Sequence, residues 1–130
     1  MNNHAYVFGA QFVMWKIDIK GTLLDKKYTS KGVSCSVCKT SKTSSVIMIP
    51  GRKECYAGMT KEYGGYLMSG YHAHAGASQY ICVDANADTC ASSGTSWRKL
   101  LYPVESVCEG TLKCPPYING AEMTCVVCSM

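Results

Sequence analysis

Nine cysteines among 130 residues constrain this chain more than any other feature of its sequence. Four of them form two CxxC pairs that stand far apart, at Cys35/Cys38 and Cys125/Cys128. Four thiolates can hold a zinc ion, but zinc ribbons place their two pairs about 15–20 residues apart. We therefore favour disulfides, formed in an oxidising compartment, over a zinc site. A redox role is favoured less, since neither CxxC opens a helix that would lower a thiol pKa.

The odd number of cysteines means that at least one of them lacks a partner within the chain. Cys90 lies in a loop of small residues, 85–96, and is the natural candidate for a free thiol or for a bond to a second chain. The alternative is that another cysteine is the unpaired one. Eight cysteines allow 105 pairings, so the sequence does not give the connectivity. A ladder that joins the segment of Cys35/Cys38 to that of Cys125/Cys128 is one attractive arrangement.

Short apolar segments separated by turn residues predict a mainly β fold, with at most one short helix. The glycine-rich segment Gly58–Gly70 disfavours a helix and allows close approach of the backbone. Pro50-Gly51 and Asn119-Gly120 are turn signals. We expect one small, disulfide-rich domain over residues 1–130. Strands are predicted within residues 5–19, 33–39, 44–49, 80–83, 97–107 and 123–128.

Composition excludes several classes of protein. The net charge of +4 comes from dispersed lysines, whereas nucleic-acid binding needs a clustered basic surface. No apolar run approaches the roughly 20 residues of a membrane span, so we expect no membrane insertion. The low charged fraction of 17%, the nine tyrosines and the many cysteines are typical of an extracellular protein. The first residues, MNNH, lack the pattern of a signal peptide, so we expect a secreted chain to be in its mature form.

The segment Tyr71–Asp88 holds the best candidate for a binding site. Asp84, Asn86 and Asp88 place oxygen-bearing side chains at alternate positions, and calcium takes 6–8 oxygen ligands. An Asx-turn is the alternative interpretation. The motif is no EF-hand loop, since the twelfth position from Asp84 is Thr95 and the central glycine is missing. The candidate metal ligands are Asp84, Asn86, Asp88, Glu105 and Glu122, with Gln79 as a further oxygen donor.

Aromatic and histidine side chains near this segment are candidate ligand contacts. His72 and His74 would share one face of an extended segment, but a zinc or copper site needs a third ligand, so a hydrogen-bonding role is favoured. Tyr71 and Trp97 flank the polar stretch and are the preferred rings to pack on a sugar. The predicted ligand contacts are Gln79, His74, Tyr71 and Trp97.

The case for an enzyme is weak. Glu105 and Glu122 are a carboxylate pair of the kind that glycosidases use, but the sequence does not place them on one cleft. Nucleophile-elbow, zinc-protease and phosphate-loop motifs are absent from the sequence. We expect no catalytic activity.

Several segments of residues 33–130 resemble one known family. The segments are VIMIPGRKECYAGMTKEYGGYLMSGYHAH, YICVD, LLYPVESVC and LKCPPYINGAEMTCVVC, and CSVC corresponds to the CAVC of that family. They are similar to the C-terminal domain of the short-chain collagen C4-like proteins of cnidarians, sponges and molluscs. That group of marine invertebrate proteins includes a calcium-dependent, galactose-specific sea anemone lectin.

The resemblance implies a secreted lectin that binds glycans with a terminal galactose-type sugar through Ca2+. His74 matches the family, whereas Cys90 does not, and Ala121 replaces a usual Arg. The upstream repeat and the Gly-X-Y stalk of the family are missing here, so we expect a second copy of this chain to replace the repeat, giving a homodimer that Cys90 could link. The alternative is an extracellular matrix end domain without a small ligand. The cysteines at family positions, expected in disulfides, are Cys35, Cys38, Cys55, Cys82, Cys108, Cys114, Cys125 and Cys128.

Overall fold

A computed structural model describes residues 9–13, 30–40, 45–76, 78–91, 99–110 and 112–130. These residues form strands and turns, with no helix among them, so the prediction of a mainly β, disulfide-rich fold is confirmed. The predicted strand residues 5–8 and 14–19, and the start of the segment 97–107, lie outside the described residues. The strands are β1 (Ala10–Phe12), β2 (Gly32–Val33), β3 (Val46–Pro50), β4 (Thr60–Ser69), β5 (Ile81–Asp84), β6 (Thr89–Cys90), β7 (Lys99–Pro103) and β8 (Thr124–Ser129).

The strands follow the order β3-β8-β4-β7-β1-β2-β6, and β5 pairs with β4 outside this path. Strand β4 is the longest and is antiparallel to β8, β5 and β7. Its backbone changes partner at Leu67, which donates to the carbonyl of Met123 and accepts from the amide of Val104. Among the described strands, only β1 and β7 run parallel. The sheet therefore brings the ends of β4 and β7 together with the residues that precede β8.

Gly65, at the centre of β4, lets the paired strand β5 lie close to the β4 backbone. A Cβ atom at Gly65 would overlap the carbonyl group of Val83, so only glycine fits at this position. The prediction that the glycines of this segment allow close backbone approach is confirmed. Beside this contact, Tyr66, Met68 and Val83 pack with Phe12 of β1 in the core.

Two disulfides attach β8 to its neighbours. Cys125 bonds to Cys82 of β5, and Cys128 bonds to Cys55, which precedes β4. Because the two cysteines are three positions apart on one strand, they leave β8 on opposite faces. Both are fully buried. A third disulfide, Cys108–Cys114, closes a short loop.

This pairing corrects part of the prediction for the cysteines. A ladder from Cys35/Cys38 to Cys125/Cys128 does not form, because Cys55 and Cys82 already occupy the two β8 cysteines. Cys35 and Cys38, expected in disulfides, are exposed free thiols in the structure. Cys90 is also an exposed thiol, as expected for the odd cysteine.

The segment 33–39 was expected to be a strand, but only Val33 belongs to one. Residues 34–39 are exposed, and the side chain of Val37 is completely so. Alternation of apolar and polar residues favours an extended chain, but a strand also needs a neighbouring strand to pair with. In β2 only two residues pair with the neighbouring strands β1 and β6. The predicted loop 85–96 contains one such partner, the short strand β6. The structure confirms the strands expected near residues 46–49, 81–83, 99–103 and 124–128.

Candidate ligand-binding cleft

A cleft of about 600 Å³ opens where the end of β4 meets the end of β7. That volume lies in the range of sites that bind small molecules. The segment between β4 and β5 forms one wall, and β7 with the residues after it forms the other. The lining residues are Ser69, Gly70, Tyr71, His72, His74, Gly76, Ser78, Tyr80, Tyr102, Pro103, Val104, Glu105 and Val107.

A small hydrogen-bond network holds the first wall in place. The buried hydroxyl of Ser69 donates to the carbonyl of Gln79 and lies 3.0 Å from the hydroxyl of Ser78. Since the hydrogen of Ser69 is used in this way, Ser78 donates to Ser69, and it accepts from the amide of Gly70 at 2.8 Å. A Cβ at Gly70 would lie 2.8 Å from that same Ser78 oxygen. These hydrogen bonds join Ser69 and Gly70, at the end of β4, to Ser78 and Gln79, which precede β5.

Aromatic side chains line the cleft on both walls. The ring of Tyr71 lies 5.2 Å from that of Tyr102, with 44° between the planes. His72 and His74 pack edge-on against Tyr71 at 4.5 and 5.0 Å. Tyr71 remains 42% exposed, so a large part of its ring is open to a ligand. The two histidines therefore form an aromatic surface together with Tyr71.

Glu105 lies at the edge of the cleft and faces Glu122 across an antiparallel bridge. The flanking residues make the backbone hydrogen bonds, Met123 to Val104 at 2.8 Å and Ser106 to Ala121 at 2.9 Å. The two glutamates are therefore a non-hydrogen-bonded pair, in which Cα atoms are about 4.5 Å apart and side chains lie close on one face.

The environment of this pair disfavours a second negative charge. Burial raises the pKa of Glu122, and the nearby carboxylate of Glu105 raises it further. One carboxylate oxygen of Glu122 is buried without a hydrogen-bond partner among the described residues. Burial and the charge of Glu122 also raise the pKa of Tyr66. A proton or a cation between the two glutamates would relieve this repulsion.

The Asp84 loop has a different structure from the predicted calcium loop. Asp84 accepts from the amide of Asn86 at 2.8 Å, and its carbonyl accepts from Ala87. These two hydrogen bonds form an Asx-turn, the alternative interpretation of this motif. Burial, and after it the charge of Asp84, raise the pKa of Tyr63, whose hydroxyl donates to the carbonyl of Cys82. None of Asp84, Asn86 and Asp88 lines the cleft.

The five predicted metal ligands thus fall into two separate places. The described part of the chain contains no group of three or more histidine, cysteine, aspartate or glutamate residues that could hold a metal ion. A calcium ion would therefore need backbone or ligand oxygens in addition to carboxylates. Of the two places, the Glu105/Glu122 pair is the better candidate for calcium. One Glu122 oxygen has no hydrogen-bond partner among the described residues, whereas Oδ1 of Asp84 already accepts a hydrogen bond.

Of the predicted ligand contacts, Tyr71 and His74 line the cleft. Gln79 contributes its carbonyl to the loop network but does not line the cleft, and Trp97 lies outside the described residues. Sequence reasoning missed Tyr102, Tyr80 and Ser78. The segment LLYP could have indicated Tyr102. Side chains alternate along a strand, so Tyr102 lies on the face opposite to that of Leu101, which packs on the core.

Comparison with known proteins gave no match to a protein-family model, a curated protein or a solved structure. Within the described residues there is no helix of the length and apolar character needed to cross a membrane. The three disulfides fit an extracellular protein.

Proposed function

We propose that this protein is a secreted lectin that binds a galactose-type sugar in the cleft of Tyr71 and Tyr102, with Ca2+ held at Glu105 and Glu122. The observation that carries the proposal is the exposed Tyr71 ring above a cleft that also contains hydroxyl, imidazole and carboxylate groups. Sugars need both kinds of surface, an aromatic face for their C–H groups and fixed polar groups for their hydroxyls. The resemblance to the family of the sea anemone lectin supports galactose and calcium.

In this proposal each wall of the cleft has its own role. Tyr71 packs against the apolar face of the sugar, and its histidine neighbours hold the ring at a fixed angle. The loop closed by Ser69 and Ser78 positions Tyr71 before the ligand arrives, which lowers the entropy lost on binding. Glu105 accepts from sugar hydroxyls at the cleft edge.

Calcium, when bound, would supply a positive charge that coordinates hydroxyl oxygens directly. Glu105 and Glu122 are the residues that would hold it, and their mutual repulsion makes a cation favourable there. A site with two carboxylates and few other protein ligands is expected to be weak, in the range of about 10⁻⁴–10⁻³ M that extracellular calcium modules use.

The protein would bind the sugar without cleaving it. A glycosidase needs both carboxyl groups on the bond that breaks. Only Glu105 lines the cleft, whereas Glu122 lies beyond it with a buried oxygen.

A glycan array with and without a chelator, followed by calorimetry with galactose, tests the proposal. Tyr71→Ala is expected to weaken galactose binding by at least tenfold. Tyr117→Ala is the matched control, since Tyr117 has a similar exposure of 39% but does not line the cleft. Absence of any glycan binding in the wild-type protein would contradict the proposal, and binding that survives the chelator would remove calcium from it.

The second candidate function is a matrix interaction domain without a small ligand. The exposed apolar side chains of the edge strand β3 favour it, because such an edge is a protein contact surface. An empty glycan array together with binding to another extracellular protein would favour this function over the lectin.

A further inference from the structure

Strand β3 ends the sheet on one side, and its outer edge has no strand beside it among the described residues. Its inner edge pairs with β8 over its whole length, from Val46 opposite Ser129 to Pro50 opposite Cys125. Natural monomers protect such edges with lysines, bulges or inward charges. The sequence of β3, VIMIP, has no charged residue.

The hydrogen-bond register shows which backbone groups of β3 point outward. Ser45 and Met130 exchange both of their hydrogen bonds, and Gly51 donates to Thr124. Since bonded pairs alternate along an antiparallel ladder, Ile47 and Ile49 also bond to β8. The amide and carbonyl groups of Val46 and Met48 therefore face outward. Pro50 offers only a carbonyl there and ends the edge.

We propose that the outer edge of β3 pairs with the same edge of a second copy of this chain, antiparallel across a two-fold axis near Ile47. With Ile47 opposite its counterpart, Val46 of each chain bonds to Met48 of the other. Four backbone hydrogen bonds then form, and all the outward amides of Val46 and Met48 are used. The edge is self-complementary in this arrangement, as an isologous dimer requires.

The side chains of β3 match the same arrangement. Val46 and Met48 point to one face of the sheet, Ile47 to the other, and all three remain 36–55% exposed. Pairing across the axis brings Val46 of one copy beside Met48 of the other on the same face. Because β3 is uncharged, no like charges meet when the strand pairs with itself, whereas an acidic or basic partner would find no charge to pair with.

The dimer would leave the candidate cleft open. The cleft lies at β7, three strands away from β3 in the sheet, or about 14 Å at the usual spacing of strands. Cys90 lies on β6, at the other end of the same sheet. The two copies would therefore contact each other at a surface far from Cys90, and this contact does not depend on sugar binding.

Sedimentation of the full chain without sugar tests the inference. We expect a concentration-dependent mass that rises from 14.1 kDa towards twice this value, in the wild type and in Cys90→Ser alike. Met48→Pro removes an outward amide and keeps the β8 ladder, and Val46→Lys adds a charge and keeps every backbone group. Each is expected to weaken dimerisation at least tenfold while the folded circular-dichroism spectrum is retained.

Ile118→Lys is the matched control, since Ile118 is 72% exposed but lies in a turn outside β3, and it should leave the dimer unchanged. A monomer at all concentrations would overturn the inference, and so would a dimer that both folded β3 variants retain or that Cys90→Ser abolishes. Sugar binding by a monomeric protein would leave the proposed function standing and remove only this interface.

Discussion

Glu105, just after β7, and Glu122, just before β8, lie directly opposite each other in an antiparallel bridge at the edge of an aromatic cleft. Their neighbours Val104, Ser106, Ala121 and Met123 make the hydrogen bonds that fix this register. Two like charges at such a position destabilise a sheet unless a proton or a cation lies between them. Under the proposed function, this pair is the place where pH, calcium and ligand binding would meet.

Glu122→Gln is expected to remove a pH dependence of stability. The pKa of Glu122 is raised in the folded state, first by burial and then by Glu105. The folded chain thus holds this proton more tightly than the unfolded chain, and the stability gained is present below the unfolded value of 4.5 and lost as pH rises through the raised value. Because the residue is partly exposed, solvent screening keeps the effect below about 1 kcal/mol.

Denaturant midpoints measured from pH 4 to pH 8 check this prediction. As pH rises across that range, the wild-type midpoint should fall relative to that of Glu122→Gln, because the variant has no proton to lose at this position. Glu109→Gln removes one negative charge from an exposed residue outside the cleft and should follow the wild-type profile. Parallel profiles for wild type and Glu122→Gln would show that the pair carries no pH dependence.

Calcium is expected to stabilise the folded protein through the same pair. A site with a dissociation constant of about 10⁻⁴–10⁻³ M would add about 1–3 kcal/mol at 10 mM Ca2+. Glu105→Gln and Glu122→Gln should each abolish this gain, which thermal denaturation with and without chelator measures.

Asp84→Ala distinguishes a calcium site at the Glu105/Glu122 pair from one at the Asp84 loop. Loss of the Asx-turn should lower stability equally with and without calcium, because Oδ1 of Asp84 is engaged with Asn86. A calcium gain that disappears in Asp84→Ala but persists in both glutamate variants would move the ion to the Asp84 loop.

The cleft is expected to prefer neutral sugars over acidic ones. No lysine or arginine is among its described lining residues, while Glu105 contributes a negative charge. On a glycan array, adding sialic acid or sulfate to a galactoside should therefore weaken binding at least several-fold. Equal or stronger binding of the acidic glycans would contradict this preference.

A count of free thiols tests the cysteine assignment. Under denaturing, non-reducing conditions the structure predicts three thiols, on Cys35, Cys38 and Cys90. Pairing of all eight cysteines at family positions predicts one thiol at most. Mass spectrometry after thiol alkylation distinguishes these results and assigns the modified positions.

Local patterns in the sequence predicted most of the strands, because alternation and turn residues act over a few positions. Pro50-Gly51 ends β3, and Gly51 has the positive φ that such a turn needs. The same local patterns could not show which segments pair as strands or which cysteines form disulfides. CSVC reads as strand, yet residues 34–39 pair with no strand among the described residues, and the partners of Cys125 and Cys128 depend on long-range register.

The sequence predicted the candidate site only in part, again because local patterns do not show which distant segments pair. Tyr71 and His74 were found because they lie in one short, polar and aromatic stretch. Tyr102 comes from a strand about 30 positions later, and only the pairing of β4 with β7 brings it to Tyr71. The pairing of Glu105 with Glu122 likewise follows from register between two distant segments.

Gly65→Ala tests the contact on which the sheet depends. A methyl group there would overlap the carbonyl of Val83, so β5 must move away from β4 and strain the Cys82–Cys125 disulfide above it. Overpacking usually costs about 1–3 kcal/mol, and we expect the upper end or more because backbone atoms cannot rotate away. Gly9→Ala is the control, since nothing lies within 4 Å of its Cβ position. Equal denaturation midpoints for the two variants would contradict the close approach of β5 to β4.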